Sequence, residues 1–185
     1  MQNKILRVGL IGLGNMGRNH LRVLSMLKGF ELAFVADANG DIAQTQGKLH
    51  NVPGVSDPAT LLNDVDSVVI CTPTVTHSDY IKMAAAHVRN IFVEKPLAAT
   101  LEEAEEVATF ARTRDLNIQV GFIERFNPAV QALQVVLNRS EQLINLDFTR
   151  TNKVSARITD VDVVTDLMIH DIDLALHLNG PAESV

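Results

Sequence analysis

The sequence predicts an α/β protein built on a doubly wound parallel sheet, and three observations carry that expectation. Short apolar, β-branched runs alternate with segments of helical periodicity from residue 6 to about residue 120. Runs such as Val68–Val69–Ile70 are continuously apolar rather than alternating, as strands covered on both faces are. The first run, Leu6–Ile11, ends directly in a glycine-rich turn that opens a helical pattern.

Taken in order, the first strand (6–11) leads into a helix over 16–27, in which Leu21, Leu24 and Leu27 recur at helical spacing. His20 in that helix reads as a packing or capping residue. A second strand covers 31–36 and a helix 41–50, with Asn51, Pro53 and Gly54 marking a turn. Residues 58–63 form a helical turn, 67–71 a buried strand, 76–87 a helix and 90–93 another strand. Thr100 opens a helix whose first turn carries Glu102 and Glu103, a charge placement that suits the helix dipole. A last strand, 118–120, ends at Gly121.

The pattern then changes. A helix covers 128–137. Residues 142–151 alternate, with Leu143, Asn145, Asp147 and Thr149 on one face against Ile144, Leu146 and Phe148, which predicts a strand with one face solvated or lining a cleft. A polar loop with Lys153 and Arg157 follows. The strongly apolar segment 161–178 predicts a helix stopped by Asn179–Gly180–Pro181. The domains expected are therefore 1–120 and 121–185.

Bulk composition narrows the function. With 185 residues there is room for one domain and a fraction, and 46% hydrophobic with 21% charged residues predicts a folded, soluble chain. A formal net charge of -6 and a pI near 5.4 argue against general binding to nucleic acid or to an anionic membrane. The single cysteine, Cys71, allows no internal disulfide, and nothing points to an oxidising compartment. The first strand begins too close to Met1 for a signal peptide, and no apolar run approaches the ~20 residues of a membrane span. A cytoplasmic location is expected.

Gly12, Gly14 and Gly17 form G-x-G-x-x-G between a strand and a helix. The first glycine permits the tight turn, the second lets a pyrophosphate approach the backbone, and the third lets the helix pack on the strand. The N–H groups at the helix start, around Asn15 and Met16, then face the phosphates. Asp37 ends the second strand about 20 residues on, where the ribose-binding acid of a Rossmann domain stands. Its charge would repel a 2′-phosphate, so NAD is expected rather than NADP. The competing reading is a Rossmann-like domain without its ligand.

Three further motifs carry chemistry. Cys71–Thr72–Pro73, with His77 beyond it, lies past the carboxyl end of a strand, where open α/β sheets bind ligands; it is equally an ordinary loop with Thr76 as a helix cap. Glu94–Lys95–Pro96 ends the next strand. A lysine there can take or hold the proton of a reacting hydroxyl, and an X–Pro bond that is cis would turn it sharply into the cleft. By itself it is also an exposed lysine before a helix. Asp166, His170, Asp173 and His177 make a polar stripe at spacings of four, three and four on an otherwise apolar helix. Asp166 and His170 suit a general base with its orienting acid, a self-satisfied buried pair, or a metal site. Catalysis is favoured and no metal is expected.

Taken together, these residues resemble the Gfo/Idh/MocA oxidoreductase family: Gly12, Gly14, Gly17, Asp37, Cys71–Thr72–Pro73 with His77, Glu94–Lys95–Pro96, Gly121–Phe122 and the Asp166/His170 pair. The resemblance implies a Rossmann domain followed by the beginning of an α+β substrate domain. It implies a catalytic set of Lys95, Asp166 and His170: Lys95 polarises the hydroxyl, Asp166 binds substrate and orients, and His170 is the base. The proline after the lysine is typically cis in that family. The cofactor would be NAD, held by Gly12, Gly14, Asn15, Met16, Asp37, Cys71, Thr72, Pro73, His77, Glu94 and Lys95.

The segments around Gly121–Pro128 and Arg157–Val161 further resemble the branch that oxidises a ring hydroxyl of UDP-N-acetylglucosamine to a ketone. This makes a nucleotide sugar the expected substrate. Arg125 and Arg157, beside Lys95, Asp166 and His170, become the substrate-binding set, with a surface ion pair as the alternative for each arginine. Family members are considerably longer, with a large antiparallel sheet in the second domain. The expected partners are therefore the sugar substrate and either a second copy or a completing chain. The alternative function is an NAD-binding, non-catalytic fragment or subunit.

Overall fold

The computed structural model describes residues 4–139, 143–151 and 163–182. The chain divides into two compact units, Met1–Gly121 and Phe122–Val185.

In the first unit, six parallel strands form one sheet: β1 (Leu6–Ile11), β2 (Phe30–Ala36), β3 (Gly54–Val55), β4 (Ser67–Ile70), β5 (Asn90–Val93) and β6 (Asn117–Val120). Their spatial order is β3-β2-β1-β4-β5-β6. The order reverses between β1 and β4, so the loops leaving their carboxyl ends flank a crevice, the usual ligand site of such sheets. The helices of this unit are α1 (Asn15–Leu24), α2 (Gly40–His50), α3 (His77–Ala84) and α4 (Leu101–Thr113).

Apolar strands build a core on each face. On one, Leu10, Leu13, Leu21, Val35 and Ala43 pack together under α1 and α2. On the other, Ile11, Phe34, Ile70, Ile81, Ile91 and Val107 pack under α3 and α4. Leu10, Phe34, Ile70 and Ile81 are at most 1% exposed, and burying side chains of this size contributes roughly 1.5–3 kcal/mol each. The Phe34 ring lies where a Cβ on Gly9 would stand, 2.3 Å from its Cζ, and the register of β1 against β2 shifts between Val8 and Gly9.

The helix ends follow their sequence signals. Asn39 caps α2 by accepting from the Asp41 and Ile42 N–H groups, and Thr100 caps α4 by accepting from the Glu103 N–H. Two expectations are corrected. The turn at Asn51–Gly54 runs into the short edge strand β3, which pairs only Gly54 and Val55 with β2. Two residues are too few for any periodicity to show. The Thr76 hydroxyl does not cap α3; it turns back to the Pro73 carbonyl at 2.7 Å and the Thr72 hydroxyl at 2.9 Å.

In the second unit, α5 (Pro128–Leu137) begins with a proline in its first turn and an Asn127 side chain accepting from the Ala129 N–H. A π-helical turn, Val164–Met168, continues into α6 (Ile169–Asn179), which ends at Gly180 with φ 84°. The strand expected over 142–151 is absent from the described residues 143–151, which are irregular. A strand exists through its ladder, and alternation without a neighbouring strand leaves Ile144 93% exposed. Of the helix expected over 161–178, residues 161 and 162 lie outside the described residues, and Val164–Met168 is π-wound.

Candidate functional site

The glycine turn is built as its spacing requires. Gly12 has φ +92°, and a Cβ there would lie 2.5 Å from the Cys71 carbonyl group, so β1 and β4 could not release their loops so close together with any other residue. A Cβ on Gly17 would stand 1.9 Å from the Gly12 oxygen. Nothing lies within 4 Å of a Cβ placed on Gly14. Gly14 is also the N-cap of α1, and no side chain among the described residues caps that end. The first turn of α1, with Asn15 and Met16, therefore begins at an uncapped glycine with room beside its α-carbon, an arrangement an anionic diphosphate fits.

Asp37 follows β2 at the same end of the sheet. Its carboxylate accepts from the Leu13 N–H at 2.8 Å and the Asn39 N–H at 2.9 Å, which fixes it against the glycine turn. Each oxygen keeps a further lone pair for a ribose hydroxyl. A cleft of about 240 Å³ lined by Arg18, Asp41, Ile42, Thr45 and Gln46 opens between α1 and α2.

The loops after β4 and β5 are tied to one another. His77 is 1% exposed, with Nδ1 2.8 Å from the Pro96 carbonyl and Nε2 3.0 Å from the Thr72 carbonyl. It spans the two loops from the inside, so its contact with a cofactor would run through the loops it holds. The Lys95–Pro96 bond is cis. Glu94 is 7% exposed; one carboxylate oxygen accepts from His20 Nε2 at 2.6 Å and the other from the Lys95 N–H at 3.3 Å. The His20 ring leans on Phe92, with centroids 5.0 Å apart. The sequence offers no spacing that joins His20 to Glu94, so the pair becomes visible only once the fold brings the His20 side chain to the end of β5.

Cys71 adjoins this pair, and the donor atoms of His20, Cys71 and Glu94 all lie within 4.8 Å of one another. That geometry could hold a metal ion. However, His20 and Glu94 already satisfy each other. Burial, with the Glu94 carboxylate beside it, pushes the Cys71 thiol up and keeps it protonated. The trio reads as a hydrogen-bonded His20–Glu94 pair with a buried, protonated thiol beside it.

In the second unit, Asp166 lies in the π-helical turn and His170 in the first turn of α6, both half-buried. Asp173, 6% exposed, accepts from both Arg125 Nε (2.8 Å) and Arg125 Nη2. This pairing raises the arginine's pKa and holds it charged. The Arg125 guanidinium also sits 5.5 Å from the Phe122 ring centroid. Arg125, expected at the substrate, is thus engaged with the stripe of α6. Arg150, which no motif marks, donates to both Asp171 oxygens at 2.8–3.1 Å and reaches Glu124 at 3.4 Å. Glu124 is held below the usual carboxylate range by the Asn127 side chain and by Arg150, with His170 within electrostatic reach. Arg157 lies outside the described residues.

Comparison with known proteins agrees with this architecture. The chain is 33% identical over 175 residues to UDP-N-acetylglucosamine 3-dehydrogenase of Acidithiobacillus ferrooxidans, covering 95% of this chain and 55% of that protein. It is 32% identical over 185 residues to scyllo-inositol 2-dehydrogenase (NAD(+)) of Bacillus subtilis, covering 95% and 54%. It superposes with a TM-score of 0.83, at 29% identity, on myo-inositol dehydrogenase from Lactobacillus casei solved with NAD(H) and myo-inositol, covering 94% and 54%. The chain spans about half the length of the curated relatives it matches. Residues 6–122 match the family described as "Oxidoreductase family, NAD-binding Rossmann fold". The chain belongs to this family, the Gfo/Idh/MocA oxidoreductases.

Proposed function

We propose that the chain forms the NAD-binding part, and part of the substrate side, of a dehydrogenase that oxidises a ring hydroxyl of a sugar, with a nucleotide sugar such as UDP-N-acetylglucosamine as the substrate. The observation that carries this reading is the crevice between β1 and β4: an uncapped helix end over Gly14, with Asp37 beside it at the carboxyl end of the sheet. Asp37 binds the adenosine ribose and disfavours a 2′-phosphate. Bound NAD supplies the hydride acceptor, the nicotinamide C4.

The chain's own residues handle position and protons. Lys95 holds the reacting hydroxyl and stabilises the charge that develops on its oxygen. His170 takes the proton, and Asp166 orients substrate and base. Thr72 and Pro73, fixed by His77, wall the cofactor crevice. Arg157 is assigned to the substrate's phosphate. Arg125, through its pairing with Asp173, is assigned to shaping the substrate side.

The test is titration with NADH followed by nicotinamide fluorescence, then NAD with UDP-N-acetylglucosamine or with inositols followed by absorbance. Binding is expected, with NADH produced fastest on the nucleotide sugar. Lys95→Ala should lower kcat by roughly 10²–10⁴-fold while leaving NADH binding in place. Turnover on inositol alone would overturn the nucleotide-sugar assignment. A folded chain that binds no NADH would overturn the whole reading.

A further inference from the structure

We infer that His20 is a positioning residue for Lys95, acting through the Glu94 carboxylate. The lysine's place is set by the residue before it. One oxygen of Glu94 takes the His20 N–H at 2.6 Å and the other takes the backbone N–H of Lys95 itself at 3.3 Å. A carboxylate held at both oxygens by charge-assisted hydrogen bonds has little freedom to turn. The surroundings close the remaining directions. A Cβ on Gly121 would lie 3.0 Å from Glu94 Oε2, so the carboxylate fills the space that a side chain there would take. Phe92 props the His20 ring from the sheet. His20 belongs to α1, the same helix whose first turn faces the proposed diphosphate site. The helix that would carry the cofactor and the turn that carries the lysine are thus joined by one side-chain bridge. On the other side of the turn, His77 holds the Pro96 carbonyl at 2.8 Å. Lys95 is braced before and after by histidines from α1 and α3.

What Lys95 does rests on the dehydrogenase reading, but how it is held does not, and the experiment separates the two. The full chain is acylated briefly with a limiting lysine reagent, and the rate at each lysine is read by mass spectrometry in wild type, His20→Ala, His20→Gln and Glu94→Gln. Exposed Lys28 and Lys48 serve as internal references. In His20→Ala the Lys95 rate should rise roughly tenfold against those references, the scale of one hydrogen bond to a charged group. Glutamine at position 20 can still donate to the carboxylate and should restore most of the wild-type rate. Glu94→Gln keeps the shape but not the charge and should fall between. If His20→Ala fails to fold, all lysines rise together and the Glu94→Gln and His20→Gln variants decide. An unchanged Lys95 rate in folded His20→Ala, or no rescue by glutamine, overturns the proposal. In turnover, His20→Ala should lower kcat with the NADH Kd and the substrate KM little changed. Wild type that binds no NADH sinks the dehydrogenase reading and leaves the labelling result standing.

Discussion

The two units of this chain are stabilised by different means. In Met1–Gly121 the central strands meet apolar side chains on both faces, and the largest of these are almost wholly buried. In the second unit α5 has no buried residue; Leu133 is 40%, Val135 53% and Val136 61% exposed. On α6, Ile172 and Leu176 are 44% and 45% exposed, while the buried positions are Leu174 and the acid Asp173. There, two arginines are forked onto two carboxylates, Arg125 onto Asp173 and Arg150 onto Asp171. A sheet that closes its own core can be read from apolar runs alone. A helical segment that leaves most of its apolar surface open depends on specific ion pairs, and those must be seen in three dimensions.

Five substitutions, the last read against pH, would break or sharpen that contrast. The largest effect belongs to the first unit: Phe34→Ala should cost about 3–5 kcal/mol in urea unfolding followed by circular dichroism, since the ring is 1% exposed. Gly17→Ala should come next, because its methyl would stand 1.9 Å from the Gly12 oxygen. Displacing α1 from the turn should weaken NADH binding more than tenfold, roughly the effect of losing 1.4 kcal/mol. In the second unit, Asp173→Ala removes the partner of Arg125 and should cost about 1–3 kcal/mol, below the fully buried case because the arginine is 36% exposed. Val136→Ser, the counterpart of Phe34→Ala on an exposed face, should stay within about 0.5 kcal/mol.

The smallest expected effect is acid sensitivity at Glu124. Its folded pKa lies below the ordinary value, chiefly through the Asn127 side chain and then Arg150. The stabilisation is therefore present above the ordinary glutamate pKa, near pH 4.3, and is lost as pH falls through the lower folded value. Glu124→Gln should differ from wild type by a few tenths of a kcal/mol at neutral pH, after solvent screening, and match it once the pH has fallen below the folded value. A difference that persists in acid would assign the effect to shape rather than charge.

How much was legible in the sequence follows the same division. β1, the glycine turn and Asp37 are local: strand, turn and acid follow one another, and each residue's job is set by its neighbours in the chain. The cis bond at Lys95–Pro96 was an expectation from the residue type and the family pattern. β3 escaped because it is two residues long. Residues 143–151 alternate like a strand, yet a strand needs a partner, and alternation cannot say whether one is there. The π-helical turn holding Asp166 has no apolar signature distinct from α-helix. His20 read as packing because a histidine on an amphipathic helix shows nothing of the carboxylate waiting across the sheet. Arg150 and Asp171 are separated by too much chain for any spacing rule to join them.

The reversal of strand order has a consequence for how the molecule comes together. β1 pairs with β4 from Val8 against Ser67 to Ile11 against Ile70, so the glycine turn meets the Cys71 loop only after a long stretch of chain has closed on itself. Contacts of such high sequence separation slow folding, because the entropy of closing the loop is lost before the pairing is gained. The crevice is therefore assembled by the least local contacts of the sheet. A dinucleotide seated across it would bind the native chain and not the open one, adding about 2.7 kcal/mol of stability at one hundred times its Kd. Cofactor concentration would then set how long the folded chain survives.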